Sequence, residues 1–205
     1  MSQTHFSPAA DRNKQAILDV LLQVLPPNGQ ALEIASGTGQ HVAWFAAGLP
    51  NWTWQPTDAL PAAMDAIASW VATQGVRNVR APLVLDVMAP EWLPNGSQFD
   101  LVYCANMLHI SPWQTCAALM QGSARHLAPG GLLVTYGPYF ERAVAASEGN
   151  LAFDHSLRVQ DPAWGIRQLE DVAQVAARSG LLLHARHAMP ANNLLLAWKA
   201  ASQLQ

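Results

Sequence analysis

The chain carries little charge and very little cysteine. Only 12% of its 205 residues are Asp, Glu, Lys or Arg, against 51% hydrophobic, and the formal net charge is −3. That balance excludes a disordered chain and describes a globular one with a large core. No run of lysine and arginine occurs. This argues against nucleic acid as a partner, because affinity for a phosphate backbone comes chiefly from such residues. The two cysteines, Cys104 and Cys116, have no metal-ligand spacing and suggest no disulfide framework. No metal is expected. Residues Met1 to Pro8 have neither a basic start nor an apolar segment, so no signal peptide is expected. No apolar run reaches the roughly 18 residues of a membrane span. A reducing, cytoplasmic setting is the expectation. A chain of 205 residues suits one domain, 1–205, and no repeat or low-complexity segment divides it.

What the chain does have is a stretch that organises the rest, Ala31-Leu-Glu-Ile-Ala-Ser-Gly-Thr-Gly-Gln-His41. Ala31 to Ile34 reads as the end of a buried strand. Ser36, Gly37, Thr38 and Gly39 make a small-residue turn, and Val42, Ala43, Phe45 and Ala46 have helical apolar spacing. Strand, glycine turn and helix form the ligand-binding corner of an open α/β sheet, where backbone must approach a ligand closely. A dinucleotide fingerprint would place glycine where Val42 stands, and a large side chain there argues against nicotinamide chemistry. Glu33 at the strand end completes Glu-x-x-x-Gly-x-Gly. This pattern resembles the cofactor corner of the class I S-adenosylmethionine (AdoMet) methyltransferases. The residue at position 35 is alanine, where that superfamily often has glycine.

Asp11 to Leu25 has helical spacing and is stopped by Pro26-Pro27-Asn28-Gly29. Asn13 and Lys14, at its start, read either as a solvated first turn or as a lid over the cofactor. Trp52 to Asp58 reads as strand two. Asp58 lies about 20 residues beyond the turn, where a carboxylate can accept both hydroxyls of an adenosine ribose; the plain alternative is a helix N-cap. Pro61 to Gln74 reads as a helix with Gly75 as its C-cap. Val79 to Leu85 reads as strand three, ending at Asp86-Val87. Trp92 either walls an adenine or packs a loop. Phe99 to Ala105 is an apolar run suited to a central strand. It leads into Asn106-Met-Leu-His-Ile-Ser-Pro112, so Asn106, His109 and Ser111 fall at the ligand end of that strand. A histidine titrates near neutrality and is a candidate base, though a lone one is often structural. Pro112 to Leu127 reads as a helix and Leu132 to Tyr136 as strand five. Residues 137–167 look irregular and polar, with aromatic residues Tyr139, Phe153 and Trp164 and charged groups Asp154, His155 and Arg158. They read as a substrate lid. A helix from Gln168 to Gly180 follows, then strands Leu181 to Ala188 and Leu194 to Lys199. The fold expected is α/β: a class I methyltransferase, Rossmann-like, seven-stranded and mostly parallel sheet with a C-terminal antiparallel pair.

Leu-x-Pro-Gly-Gly before strand five and the terminal strand pair are recurrent in the class I methyltransferases. A narrower likeness rests on eight blocks in order. The first four are Ala10-Asp-Arg-Asn-Lys14, Ile34 to His41, Trp54-Gln-Pro-Thr-Asp58 and Ala81-Pro-Leu-Val-Leu-Asp86. The others are Asn106 to Pro112, Thr135-Tyr-Gly-Pro-Tyr139, Asp161-Pro-Ala-Trp-Gly-Ile-Arg167 and Met189-Pro-Ala-Asn-Asn193. Together they resemble the family of human methyltransferase-like protein 26 and its bacterial relatives. Asp161 and Gln168 stand where relatives often have Asn and Asp. The resemblance implies AdoMet as cofactor and S-adenosylhomocysteine as product. It implies cofactor contacts from Asn13, Lys14, Glu33, Ala35, Ser36, Gly37, Gly39, Asp58, Asp86, Val87 and Asn106. The adenine amino group falls to Asp86. Catalytic work falls to His109 and Tyr139, and a small-molecule acceptor to Tyr136, Asp154, Arg158, Trp164 and Asn192. An inactive cofactor-binding or protein-interaction module is the alternative on the same fold. The residues name neither the acceptor nor an oligomeric state.

Overall fold

A central sheet divides the computed structural model, which describes residues 6–203, into two helical layers. The first five residues, on which the signal-peptide reading partly rests, lie outside the described residues. Helix α1 (Pro8–Val24) starts where Ser7 accepts the amide of Ala10 at 3.3 Å, with proline in its first turn. It ends at Leu25, whose extended backbone leads into the Pro26-Pro27 pair. Strand β1 (Gly29–Ile34) runs through the turn into α2 (Gln40–Gly48), followed by β2 (Trp52–Asp58) and α3 (Ala63–Gln74). Gly75 caps α3 in the left-handed conformation, φ 69°. Next come β3 (Leu83–Val84), β4 (Phe99–Ala105), a 3-10 turn Leu108–Ile110, and α4 (Gln114–His126). The remainder is β5 (Leu127–Phe140), α5 (Glu148–Gln160), β6 (Arg167–Gln168), α6 (Leu169–Arg178), β7 (Leu181–Met189) and β8 (Asn193–Ala200).

The strand order is β3-β2-β1-β4-β5-β8-β7. The first five are parallel, and β8 runs antiparallel to both β5 and β7. This is the expected seven-stranded sheet. The two-residue β6 adds an eighth strand off that path, pairing with the end of β5.

Alternation along the strands sorts the core into two layers. Ala31, Leu101, Tyr103, Val134 and Tyr136 face Ile17 and Leu21 of α1, Phe45 of α2 and Ile67 of α3. Leu32, Ile34, Val102, Cys104 and Tyr139 face Leu119 of α4 and Val172 of α6. Among the described residues no helix is long and apolar enough to cross a membrane.

Three expectations are corrected. Strand three is two residues rather than Val79 to Leu85. It lies at the sheet edge with Leu83 and Val84 exposed, and Pro82 cannot donate to a ladder. Strand five is 14 residues long, because Leu127 pairs with Phe99 at one end and Phe140 with β6 at the other. Within 137–167, residues 148–160 are helical rather than irregular. Ser147 caps α5 by accepting the amide of Asn150, and Asp154 pairs with Arg158 one turn on. Leu157 is the one residue of α5 that is buried, so no apolar stripe marks this helix in the sequence.

Candidate active site

The turn after β1 bends through left-handed conformations at Ala35, Gly37 and Gly39, with φ of 55°, 55° and 84°. Open space lies over Gly37, whereas a Cβ on Gly39 would meet the backbone of Ile67 at 2.6 Å. Gly39 therefore lets α2 and α3 approach each other, while Gly37 leaves room above the turn. Asp58, at the end of β2, reaches across to the turn. One carboxylate oxygen accepts the Gly37 amide and the other the Leu60 amide, each at 2.9 Å. Each oxygen retains a lone pair for a further donor. The Ser36 amide donates to Thr57 and the Ser36 hydroxyl accepts the Thr57 amide, locking the two strand ends together.

Glu33 lies beneath this turn and is 1% exposed. It pairs in register with Tyr103 of β4. Its Oε2 has no hydrogen-bond partner among the described residues. Burial pushes its pKa up to about 8, Ser36 opposes that through a hydrogen bond, and the charge of Asp58 adds to it. A buried carboxyl without a cation sheds its charge, so Glu33 is held as a neutral acid with one oxygen unpartnered among the described residues.

Helix α1 closes over this corner. Ser7 and Gln40 exchange two hydrogen bonds, the amide of Ser7 donating to Gln40 Oε1 and Gln40 Nε2 donating to the Ser7 carbonyl. Asn13 Oδ1 is 2.6 Å from His41 Nε2. Lys14 pairs with Asp11 and sits 4.5 Å over the Trp44 ring. Asn13 is thus a buried link rather than part of a solvated first turn.

A second cluster forms at the ends of β4 and β5. Asn106 turns the chain at φ 58° and donates its amide to the Tyr136 carbonyl. His109 is 6% exposed, and its Nδ1 lies 3.3 Å from where a Cβ on Gly137 would stand. Phe153 of α5 meets the His109 ring edge-on at 5.6 Å. Burial and then the Arg167 charge push the His109 pKa down to about 4, so its imidazole is neutral near pH 7. Asp154 accepts the Ile166 amide at 2.7 Å as well as Arg158, and Gly165 donates its amide to the His109 carbonyl. Trp164 is half-buried in the same loop and donates its amide to Asp161. Arg167 clasps the carbonyls of Leu108, Ser111 and Ala163, tying His109 to the segment after α5. Its role was missed in the sequence, because two of its three partners, Leu108 and Ser111, lie 59 and 56 residues away. At the other end of α5, Asn150 donates to the Asn192 carbonyl, and a cavity of about 200 Å³ opens between Tyr139, Val144, Ser147 and Met189.

Other expected residues are placed differently. Tyr139 points to the face opposite Tyr136. Its hydroxyl donates to Thr135 Oγ1 at 3.0 Å, and Trp198 donates to the same oxygen at 3.1 Å. Burial holds its pKa well above the ordinary tyrosine value. The Tyr139 hydroxyl is thus already engaged with Thr135. Trp92 fills the core against Gly122 and donates to the Val87 carbonyl, so it packs a loop instead of walling a ligand. Asp86 is exposed and caps the Met88 amide, and Val87 is buried beside it. Ser111 has a buried hydroxyl without a partner among the described residues. Among those residues no group of three or more His, Cys, Asp or Glu could hold a metal ion.

The architecture is similar to that of solved methyltransferases. An O-methyltransferase family protein from Burkholderia thailandensis matches at a TM-score of 0.78 and 18% identity, over 94% of this chain and 57% of that one. The O-methyltransferase NcsB1 of neocarzinostatin biosynthesis, solved with S-adenosylmethionine and 2-hydroxy-5-methyl naphthoic acid, matches at 0.75 and 16% identity, over 94% and 54%. An O-methyltransferase family 2 protein from Planctomyces limnophilus, solved with apigenin, matches at 0.73 and 17%, over 91% and 61%. This chain spans somewhat over half the length of those proteins, and at such identities the likeness is one of fold. In sequence, residues 4–200 match the model of a family described as a protein of unknown function (DUF938), and the chain belongs to that family.

Proposed function

We propose that this chain is an AdoMet-dependent methyltransferase acting on a small-molecule acceptor, and that it stands with methyltransferase-like protein 26 and its bacterial relatives inside its family. The observation that carries the reading is the corner of Glu33, Gly37 and Asp58. A buried carboxyl oxygen without a partner among the described residues lies under a turn with open space above it, beside a carboxylate with lone pairs to spare. These residues fit a ligand with a cationic amine, a carboxylate and a vicinal diol. Glu33 takes the amine. The free amides at the start of α2 take the carboxylate, with Ala35, Ser36 and Gly39 shaping the turn. Asp58 takes the ribose diol, and Asp86 and Val87 flank the adenine. Asn13 and Lys14 cover the amino-acid end, and Asn106 bounds the site toward the acceptor.

Bound there, AdoMet would supply a methyl group on a sulfonium, and the protein supplies position and proton handling. His109 is neutral and its ring nitrogens carry no side-chain hydrogen bond among the described residues, so it can accept a proton from an acceptor hydroxyl or amine. We assign Tyr136, Asp154, Arg158, Trp164 and Asn192 to the acceptor and residues 137–167 to its lid. The naphthoic acid and apigenin bound by the structural neighbours support a small-molecule acceptor. The free thiols Cys104 and Cys116 suit a reducing cytoplasm.

The test is a calorimetric titration with AdoMet and S-adenosylhomocysteine. Both bind the wild type. Asp58→Ala stays folded and loses about 100-fold in affinity, the worth of two charge-assisted hydrogen bonds. A folded wild type that binds neither ligand contradicts the proposal. Transfer is read with methyl-labelled AdoMet in cell extract, where label belongs in the small-molecule fraction; label in protein or nucleic acid contradicts the acceptor class.

A further inference from the structure

His109 stands on a slight support. The 3-10 turn Leu108–Ile110 is three residues long, and a run that short gains little from its own hydrogen bonds. Carbonyls at its end have no partners inside the turn. Arg167 of β6 donates from Nε to the Leu108 carbonyl at 2.9 Å and from Nη2 to the Ser111 carbonyl. Gly165 donates its amide to the His109 carbonyl at 2.9 Å. Three of the four carbonyls from Leu108 to Ser111 are therefore bound by one short segment, residues 165–167. The same guanidinium also donates to the Ala163 carbonyl at 2.9 Å and lies 5.6 Å over the Trp113 ring.

That segment is itself tied to α5. Asp154 accepts the Ile166 amide at 2.7 Å. Gly165, at φ 143°, lies where a Cβ would meet Arg158 at 2.6 Å and Asp154 at 2.8 Å, so a side chain there would push the segment off that ion pair. The His109 ring is bounded by neighbouring elements. A Cβ on Gly137 of β5 would stand 3.3 Å from its Nδ1, and Phe153 of α5 meets it edge-on at 5.6 Å. Backbone bonds and ring contacts thus join one residue to β5, α5 and β6.

We infer that Arg167 is a positioning residue: by holding the Leu108–Ser111 turn to the segment after α5, it fixes the His109 imidazole between Gly137 and Phe153. That the imidazole serves as a base rests on the methyl-transfer reading; its placement by Arg167 does not. A base must present one nitrogen within hydrogen-bond reach of the acceptor's proton, and a turn free to shift by about an ångström would lose that alignment. Lysine cannot take the place of this arginine, because an ammonium carries the charge but not the planar fork that spans separate carbonyls. Charge and clasp can therefore be separated by one substitution.

The test uses the full chain with nitrogen-labelled histidine in solution NMR, and His109→Gln assigns the His109 signal among seven histidines. The charged and titratable groups around His109 are Arg167, the Asp154–Arg158 pair beside Arg167, and the Cys116 thiol of α4. In the wild type, burial and then the Arg167 charge hold the His109 midpoint at about 4. Arg167→Lys keeps the charge and frees the turn. The midpoint should then rise toward the ordinary 6.5 as water reaches the ring, and the Gly165 amide should exchange faster. Transfer of label from methyl-labelled AdoMet to small molecules should fall by about 10–100-fold with AdoMet affinity unchanged. If Arg167→Lys fails to fold, Asp154→Ala serves: it removes the acceptor of the Ile166 amide and moves the midpoint and the exchange rate the same way. Loss of a carboxylate by itself would lower the midpoint, so a rise there reports the loosened turn. A midpoint that stays near the wild-type value, a Gly165 amide that exchanges no faster, or undiminished transfer overturns the inference. A wild type that binds no AdoMet would instead overturn the methyl-transfer reading and leave Arg167 to be judged by the titration and the exchange rate.

Discussion

Two buried polar clusters, one on each face of the sheet, are built differently. On the α4 and α6 face, the Tyr139 hydroxyl and the Trp198 indole converge on one oxygen of Thr135, and each donor is matched. On the α1, α2 and α3 face, His41 of α2 bridges to Asn13 of α1, and Glu33 keeps an oxygen without a partner among the described residues. A closed polar network adds rigidity to a core, whereas an open one in a native fold calls for a missing partner. Unpartnered buried atoms occur on the other face as well, Ser123 Oγ of α4 among them, so the feature that supports a ligand on the α1 face is the open space over Gly37 beside Glu33 and Asp58 at the strand ends. Tyr136 and Tyr139 of β5 fall on opposite sides of this comparison, since strand alternation sends them to opposite layers.

The largest effect that sharpens this comparison comes from Glu33→Gln. The raised pKa of Glu33 means that its contribution to stability is full below its ordinary value of 4.5 and is lost as pH rises through about 8. Glutamine does not titrate. Denaturant melts from about pH 5 to about pH 8 should therefore show Glu33→Gln gaining on the wild type by roughly 1 kcal/mol per pH unit. His41 has the opposite sign. Its lowered pKa gives stability that is present above 6.5 and lost as pH falls through about 4, and His41→Gln should flatten that acid limb.

Next in size is Thr135→Val, which strands two buried donors on the closed face. It should cost about 2–3 kcal/mol in a denaturant melt and leave AdoMet affinity unchanged. A loss of affinity equal to that of Asp58→Ala would break the distinction between the faces. Smallest is Ala35→Gly. Ala35 holds φ 55°, a conformation that disfavours an L side chain, and the gain is partly offset by the freedom glycine has when unfolded. The melt should show a gain of about 0.5–1 kcal/mol with no change in binding.

Much of the fold was legible because buried strands announce themselves. Trp52 to Asp58 and Phe99 to Ala105 have the same ends in sequence and structure, since apolar runs there stop at the polar ends of the sheet. The edge strand and α5 were not legible, for one shared reason: neither buries a face, and periodicity reports burial rather than hydrogen bonding. The signals for α5 lay instead in Ser147 and in the Asp154–Arg158 spacing. In the site, Glu33, Gly37 and Asp58 could be picked out by local pattern. His41 stood in the same motif without a role, because its partners Asn13 and Tyr103 lie 28 and 62 residues away. The partner of Tyr139 was not legible, because Tyr139 sits near the lid in sequence while its hydroxyl is engaged in the opposite layer.

The central claim is that the open face waits for a cationic ligand at Glu33, and proton release on binding tests it most directly. AdoMet and S-adenosylhomocysteine would be titrated near pH 7 in buffers of different ionisation heat. The account predicts that either ligand expels a proton from the wild type, because its amine favours ionised Glu33, and that Glu33→Gln binds more weakly and expels none. Binding with no proton released by the wild type, or with the same release from Glu33→Gln, would contradict it.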